Sequence, residues 1–218
     1  MVKDIVIAHS KGGSGKSTLA GILLEAFEQT GLVDGLDLDP QGSFRRRIEA
    51  MVERGFQRPD SPALRIVDTR GELGARALDA DLVLVPIGPT EDEIQVSADF
   101  LRTLPEESRK RVMLAPIRFQ LVGRSLIREH HDALQYARGM ADALQLAGVL
   151  PWITYRPLLQ KLGQTWPENP FLKAPKGYER SKSFRTMIEE CRDLANGLAY
   201  VLDMPELEVD ISRPGEAA

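Results

Sequence analysis

Short apolar runs punctuate this chain and are separated by longer stretches in which hydrophobic and polar residues mix. The runs include Ile5-Val6-Ile7-Ala8, Leu64-Arg65-Ile66-Val67, Leu82-Val83-Leu84-Val85 and Val112-Met113-Leu114-Ala115. Their length and β-branched content predict strands near 2–8, 32–37, 63–68, 81–86, 111–116 and 149–153. Helices are predicted between them, near 16–30, 43–54, 72–79, 91–103, 124–147 and 179–202, with Gly31 and Gly148 as stops after the first and fifth. This alternation predicts an α/β fold, a mostly parallel sheet with helices on both faces. Residues 1–203 are expected to form one domain and 204–218, with Pro205 and Pro214, a disordered tail. The proline-bearing stretch from Thr154 to Gly177 is expected to be loop around a short helix at Arg156–Leu162.

The first strand-to-helix connection carries the chemistry. Lys11-Gly12-Gly13-Ser14-Gly15-Lys16-Ser17-Thr18 follows the run Ile5–Ala8 directly. A strand, a glycine-rich turn and Gly-Lys-Ser opening a helix form the P-loop pattern. The glycines let consecutive backbone N–H groups turn inward on a polyphosphate, and the helix start adds its positive dipole end. Lys16 is expected to reach the β- and γ-phosphates, and the Ser17 hydroxyl to help hold Mg²⁺.

Other segments refine this reading. Lys11 stands at the start of the loop, where a generic P-loop requires no charge. Asp37-Leu38-Asp39-Pro40-Gln41-Gly42 places two carboxylates at i and i+2 on an extended segment, so both project to one side. Leu64-Arg65-Ile66-Val67-Asp68-Thr69 reads as a Walker B strand, with Asp68 holding Mg²⁺ through a water. Ala80-Asp81-Leu82-Val83-Leu84-Val85-Pro86-Ile87 is a fourth strand in the same series.

Together these segments resemble the ParA/MinD family of dimerising ATPases, P-loop NTPases of the deviant Walker A type. KGGSGKST is similar to that family's KGGxGK(S/T)(S/T), DLDPQG to its switch I motif, and the strand ending near Pro86 to one beside its nucleotide. The resemblance is close over about the first 90 residues. It implies ATP and Mg²⁺ as cofactors, with Lys11 reaching phosphate across a homodimer interface. It implies that Asp39 orients or deprotonates the attacking water, while Asp37 lies near the metal beside Ser17 and Asp68. Lys11, Lys16 and Asp39 are the implied catalytic set, and 11–18 with Pro86 the nucleotide-binding set. It further implies ATP-dependent dimerisation and slow hydrolysis stimulated by a ParB-like or other adaptor. Non-specific DNA binding by the dimer, and the partitioning or positioning of plasmid, chromosome or protein cargo, complete what it implies. The sequence departs from the family after Asp68-Thr69, where Arg70-Gly71 replaces a Pro-Pro pair and Arg70 is a candidate phosphate or interface contact. It departs again at Val112–Pro116, which lacks an adenine-reading amide.

Charge adds a candidate surface. The net charge is −4, yet residues 101–192 carry 16 basic and 9 acidic side chains. Arg180, Lys182 and Arg185 are the candidate DNA contacts within this basic block. Arg45-Arg46-Arg47 is a second basic cluster, open to DNA, a partner protein or water. A single cysteine, Cys191, excludes an internal disulfide and a multi-cysteine metal site, and its spacing from Ile188 and Leu194 places it in a core. His9 is expected to serve in packing or a backbone contact. No apolar run approaches the ~20 residues that cross a bilayer, and Met-Val-Lys-Asp leads straight into the first strand. A cytoplasmic protein, nucleoid-associated when ATP-bound, is the resulting expectation.

Three other readings remain open. A MinD-like membrane ATPase requires a basic amphipathic terminal helix, whereas the chain ends in an acidic, proline-broken segment. A small-molecule ligase or kinase would share the P-loop but not DLDPQG. A non-cycling nucleotide-binding regulator would lack turnover.

Overall fold

The computed structural model describes residues 2–70, 79–122, 125–154, 168–178 and 180–204. In chain order the main elements are β1 (Lys3–Ile7), α1 (Lys16–Phe27), β2 (Val33–Asp37), α2 (Ser43–Glu53), β3 (Leu64–Asp68) and β4 (Leu82–Ile87). They continue with α3 (Glu91–Arg102), α4 (Glu106–Arg109), β5 (Val112–Phe119), β6 (Leu121–Val122), β7 (Ser125–Leu126), α5 (Arg128–Ala143), β8 (Gly148–Val149), β9 (Ile153–Thr154) and α6 (Lys182–Val201). The main sheet runs β2-β3-β1-β4-β5-β8, with β9 also on β5, and its pairings are parallel.

Parallel sheets need cover on both faces, which is why their strands read as continuous apolar runs. Successive residues of one strand enter opposite cores. Ile5 and Ile7 join Leu82, Leu84, Met113 and Ala115 under α1, α2 and α6. Val6 and Ala8 join Val83, Val85, Val112 and Leu114 under α3 and α5. Helix α1 is buried along almost its whole length, because it lies between the sheet and both α2 and α6. Cys191 is fully buried in the first of these cores, as its spacing predicted.

The strand order places the site. From β1 the chain crosses to β2 on one side and later returns to β4 on the other, so β1 lies between β3 and β4. Open α/β sheets bind ligands at such a reversal, beyond the carboxyl ends of the strands. The loop after β1 starts there.

Several predicted boundaries are corrected. The helix expected over 124–147 spans only Arg128–Ala143. Leu121–Val122 and Ser125–Leu126 pair as an antiparallel ladder instead, and the Ile127 N–H donates to the Gln120 carbonyl at 3.2 Å. The helix ends before Gly148 because Gln145 takes a left-handed φ of 55°. The strand expected over 149–153 divides into β8 and β9, and Pro151, which has no N–H to donate, lies between them. Strand β5 runs three residues beyond 116, to Phe119. The predicted elements at 72–79 (apart from its last residue) and 156–162, and the tail beyond Met204, lie outside the described residues.

Candidate functional site

A cavity of about 730 Å³ opens where β1, β2 and β3 end. Its wall comprises residues 12–18 of the glycine-rich loop, Asp39, Pro40, Gln41, Ser43, Arg46, Arg47 and Arg70. Lys16 is its buried lysine, 7% exposed, and its ammonium reaches the Lys11 carbonyl at 3.5 Å. The loop can turn into α1 because Gly13 and Gly15 take φ values of 71° and 96°. Gly15 serves as the N-cap of α1 without a side-chain acceptor, and the first turn contains no acidic residue. The opening N–H groups of this helix therefore remain available to an anion from the cavity side.

The two aspartates of the second strand connection behave differently. Asp37 is 8% exposed, and both of its carboxylate oxygens accept backbone N–H groups: Oδ1 from Asp39 at 2.8 Å and Oδ2 from Arg45 at 2.7 Å. It thereby holds the turn and the start of α2, whose own N-cap, Gly42, has no side chain to do so. No local sequence signal marks this task, since the second bond spans eight residues. Asp39 is in the cavity wall and accepts the Gln41 N–H at 2.9 Å. Asp37 itself is not part of the wall.

Asp68 ends β3 in register with Asp37 of β2 and Ile7 of β1. It is fully buried, and among the described residues neither carboxylate oxygen has a hydrogen-bond partner of good geometry. Burial pushes its pKa up to about 6; the nearby Ser17 hydroxyl and Lys16 favour the charged form, while Asp37 and Asp39 oppose it. Two unsatisfied carboxylate oxygens beside a serine hydroxyl are hard oxygen donors, and this donor set fits Mg²⁺. Such an ion keeps several waters, so Asp68 need not reach it directly.

The arginine cluster after switch I separates into distinct positions. Arg45 is exposed and outside the cavity wall. Arg46 bonds the Gln41 carbonyl at 2.9 Å and the Ser43 hydroxyl at 3.2 Å, bracing the turn from within the wall. Arg47 is 5% exposed, lies over Gly21 of α1 and feels the charges of Glu25 and Asp68. Three consecutive arginines do not by themselves show which of them is buried. Helical periodicity on α2, which buries Phe44, Arg47, Ile48 and Met51, is the signal that could have singled out Arg47. Arg70, a candidate from its departure at that position, is in the wall.

Other predicted site residues stand apart from the cavity. Lys11 is exposed and outside its wall. Pro86, expected near nucleotide, is buried within β4 opposite Ala115 and is also outside the wall. Arg180 and Lys182 are exposed and Arg185 half-buried, all at the start of α6. His9 is buried; its ring stacks on Phe100 at 5.9 Å and its nitrogens contact the Lys11 N–H and the Ser97 hydroxyl, each at 2.9 Å.

A glycine-rich loop between a parallel strand and a helix, with a lysine inside the cavity and a buried aspartate on the neighbouring strand, defines a P-loop nucleotide-binding protein. The family described as the CobQ/CobB/MinD/ParA nucleotide binding domain matches residues 5–204, and the chain belongs to it. No curated protein sequence matches the chain. Solved structures share the fold at low identity. An ATP complex of a Cyanothece McdA variant aligns at 15% identity over 95% of this chain and 98% of its own, with a TM-score of 0.62. MinD from Aquifex aeolicus aligns at 16% identity over 91% and 97%, with a TM-score of 0.60. A plasmid partition protein from Borrelia burgdorferi aligns at 17% identity over 92% and 99%, with a TM-score of 0.58.

Proposed function

We propose that the chain is a ParA-like ATPase that binds ATP with Mg²⁺, dimerises on it and hydrolyses it slowly until a ParB-like or other adaptor stimulates turnover. The observation that carries this reading is the division between the two lysines of one loop. Lys16 is buried in the cavity, whereas the exposed Lys11 side chain lies outside it. A cation held at the rim of its own site is suited to the phosphates of a second copy. In this reading residues 12–18 cradle the triphosphate and Lys16 neutralises its terminal oxygens. Ser17 and Asp68 hold Mg²⁺, which supplies charge neutralisation when bound. Asp37 fixes the switch turn beside them, and Asp39 orients the attacking water.

We further propose that the ATP-bound dimer binds DNA without sequence preference and so positions plasmid, chromosomal or protein cargo. Helix α6 supports this. Negative charge is what a helix dipole favours at an N-terminus, and α3 begins with Glu91, Asp92 and Glu93. Helix α6 begins with Arg180, Lys182 and Arg185 around its Ser181 cap and has no acidic residue in its first turn. An external anion such as a DNA phosphate would relieve that arrangement.

Light scattering of the protein with and without ATP and Mg²⁺ tests the reading. Wild type is expected to pass from monomer to dimer, and Lys16→Ala to lose nucleotide binding. Lys11→Ala is expected to retain nucleotide and stay monomeric. A stable Lys11→Ala dimer would sink the cross-interface role.

A further inference from the structure

His9 lies two residues after the end of β1 and two before Lys11, where the glycine-rich loop begins, and at 3% exposure it is buried. Its ring is held by contacts of three kinds. Phe100 of α3 stacks on it with an interplanar angle of 23°. The backbone N–H of Lys11 donates to Nδ1 at 2.9 Å, and Nε2 lies 2.9 Å from the Ser97 hydroxyl. The proton on that hydroxyl is committed elsewhere, because Ser97 Oγ donates to the Glu93 carbonyl at 2.7 Å.

These bonds select one tautomer. Nδ1 accepts, so it carries no proton, and the Ser97 oxygen accepts from Nε2–H. Burial, with Lys16, Lys11 and Arg118 nearby, lowers the imidazole pKa to about 4, which keeps the acceptor nitrogen free at neutral pH. Lys11 is therefore held at its N–H by His9, while the Lys16 ammonium stands 3.5 Å from its carbonyl. Its side chain remains exposed. The stem of the outward lysine is thus anchored to α3 through the histidine.

We infer that His9 is a positioning residue that fixes the backbone of Lys11 and thereby aims this lysine at its target. The inference builds on the cross-interface role proposed for Lys11, and its geometric half can be measured without that role. A freely hinged lysine would lose rotamer and backbone entropy on reaching a second copy's phosphate, whereas an anchored stem has lost part of it beforehand.

The test compares His9→Phe with His9→Asn. Phenylalanine keeps a ring against Phe100 but has no acceptor; asparagine places Oδ1 where Nδ1 stood. In His9→Phe, hydrogen exchange at the Lys11 amide is expected to accelerate, and ATP-dependent dimerisation to weaken by about tenfold, the size of one hydrogen bond. Equilibrium binding of a fluorescent ATP analogue to dilute monomer is expected to change less than dimerisation. His9→Asn is expected to restore both amide protection and dimer. Unchanged exchange in His9→Phe overturns the inference, as does failure of folded His9→Asn to restore protection. Faster exchange with an unaffected dimer also overturns it when Lys11→Ala abolishes that dimer. If Lys11→Ala itself still dimerises, the cross-interface reading falls and the exchange data alone decide whether His9 anchors the loop. Should His9→Phe not fold, His9→Gln replaces it: its acceptor lies one bond further out, so protection equal to that of His9→Asn overturns the inference.

Discussion

Asp37 and Asp68 lie in register as the last residues of neighbouring parallel strands, and their charges are met differently. Backbone N–H groups satisfy Asp37, whereas Asp68 is buried with a pKa raised to about 6. Between about pH 4 and 6 the folded chain therefore holds a proton on Asp68 that the unfolded chain has released. Stability falls as pH rises through this window, and above it the buried charge costs on the order of 2–3 kcal/mol. Asp68→Asn is expected to raise the melting temperature of ligand-free protein at pH 7.5. It is also expected to remove the Mg²⁺-dependent part of the stabilisation by ATP. Calorimetry with and without Mg²⁺ checks both, and a variant that melts lower yet keeps the Mg²⁺ response would contradict the assignment.

Gly15 is required by geometry as well as by chemistry. An added Cβ would lie 2.3 Å from the Ile117 Cδ1 of β5, and the φ of 96° disfavours any side chain. Gly15→Ala is expected to destabilise the fold by about 1–3 kcal/mol. Ile117→Val should recover the steric part in the double variant and leave the backbone part. Urea unfolding of the four-member cycle measures this coupling, and strict additivity would show that the collision is relieved elsewhere.

Asp39 is in the cavity wall with one carboxylate oxygen turned to the Gln41 N–H. If it orients water, Asp39→Ala should lower turnover by about a hundredfold or more while nucleotide affinity stays near wild type. The ATP-bound dimer should then persist in light scattering. Wild-type phosphate release from this variant would remove Asp39 from the mechanism.

DNA retention should decline steeply with salt, by roughly 0.9 log units per log unit of salt for each phosphate contact. A dimer doubles the contacts on one duplex, so binding should require ATP. Arg180→Glu with Lys182→Glu is expected to abolish the mobility shift of random-sequence DNA while ATP-dependent dimerisation persists. A double variant that dimerises and shifts DNA like wild type would mark this end of α6 as a solvated surface.

The register of the helix before β8 shows why some elements were less legible. Residues 124–147 have helical periodicity, but Ser125–Leu126 gain a ladder with Leu121–Val122, and Gln145 turns left-handed. Both outcomes depend on backbone partners that periodicity does not register. Asp37 illustrates the same point within the site. Its spacing from Asp39 suggested a shared metal centre, whereas its oxygens hold two N–H groups, one of them on α2.

The sequence by itself determined the parallel α/β architecture and the glycine-rich phosphate loop, because both rest on local patterns. Apolar runs of strand length specify a sheet covered on both faces, and the loop needs only its glycines, Lys16 and the following helix. Tertiary structure alone decided which charges meet. It buried Arg47 and left Arg45 exposed, desolvated Asp68 at the end of β3, and set His9 between Lys11 and Ser97, 88 residues away from it. Desolvation and pairing depend on elements distant in sequence that pack at the switch point of the sheet, and this packing is specified by the whole core.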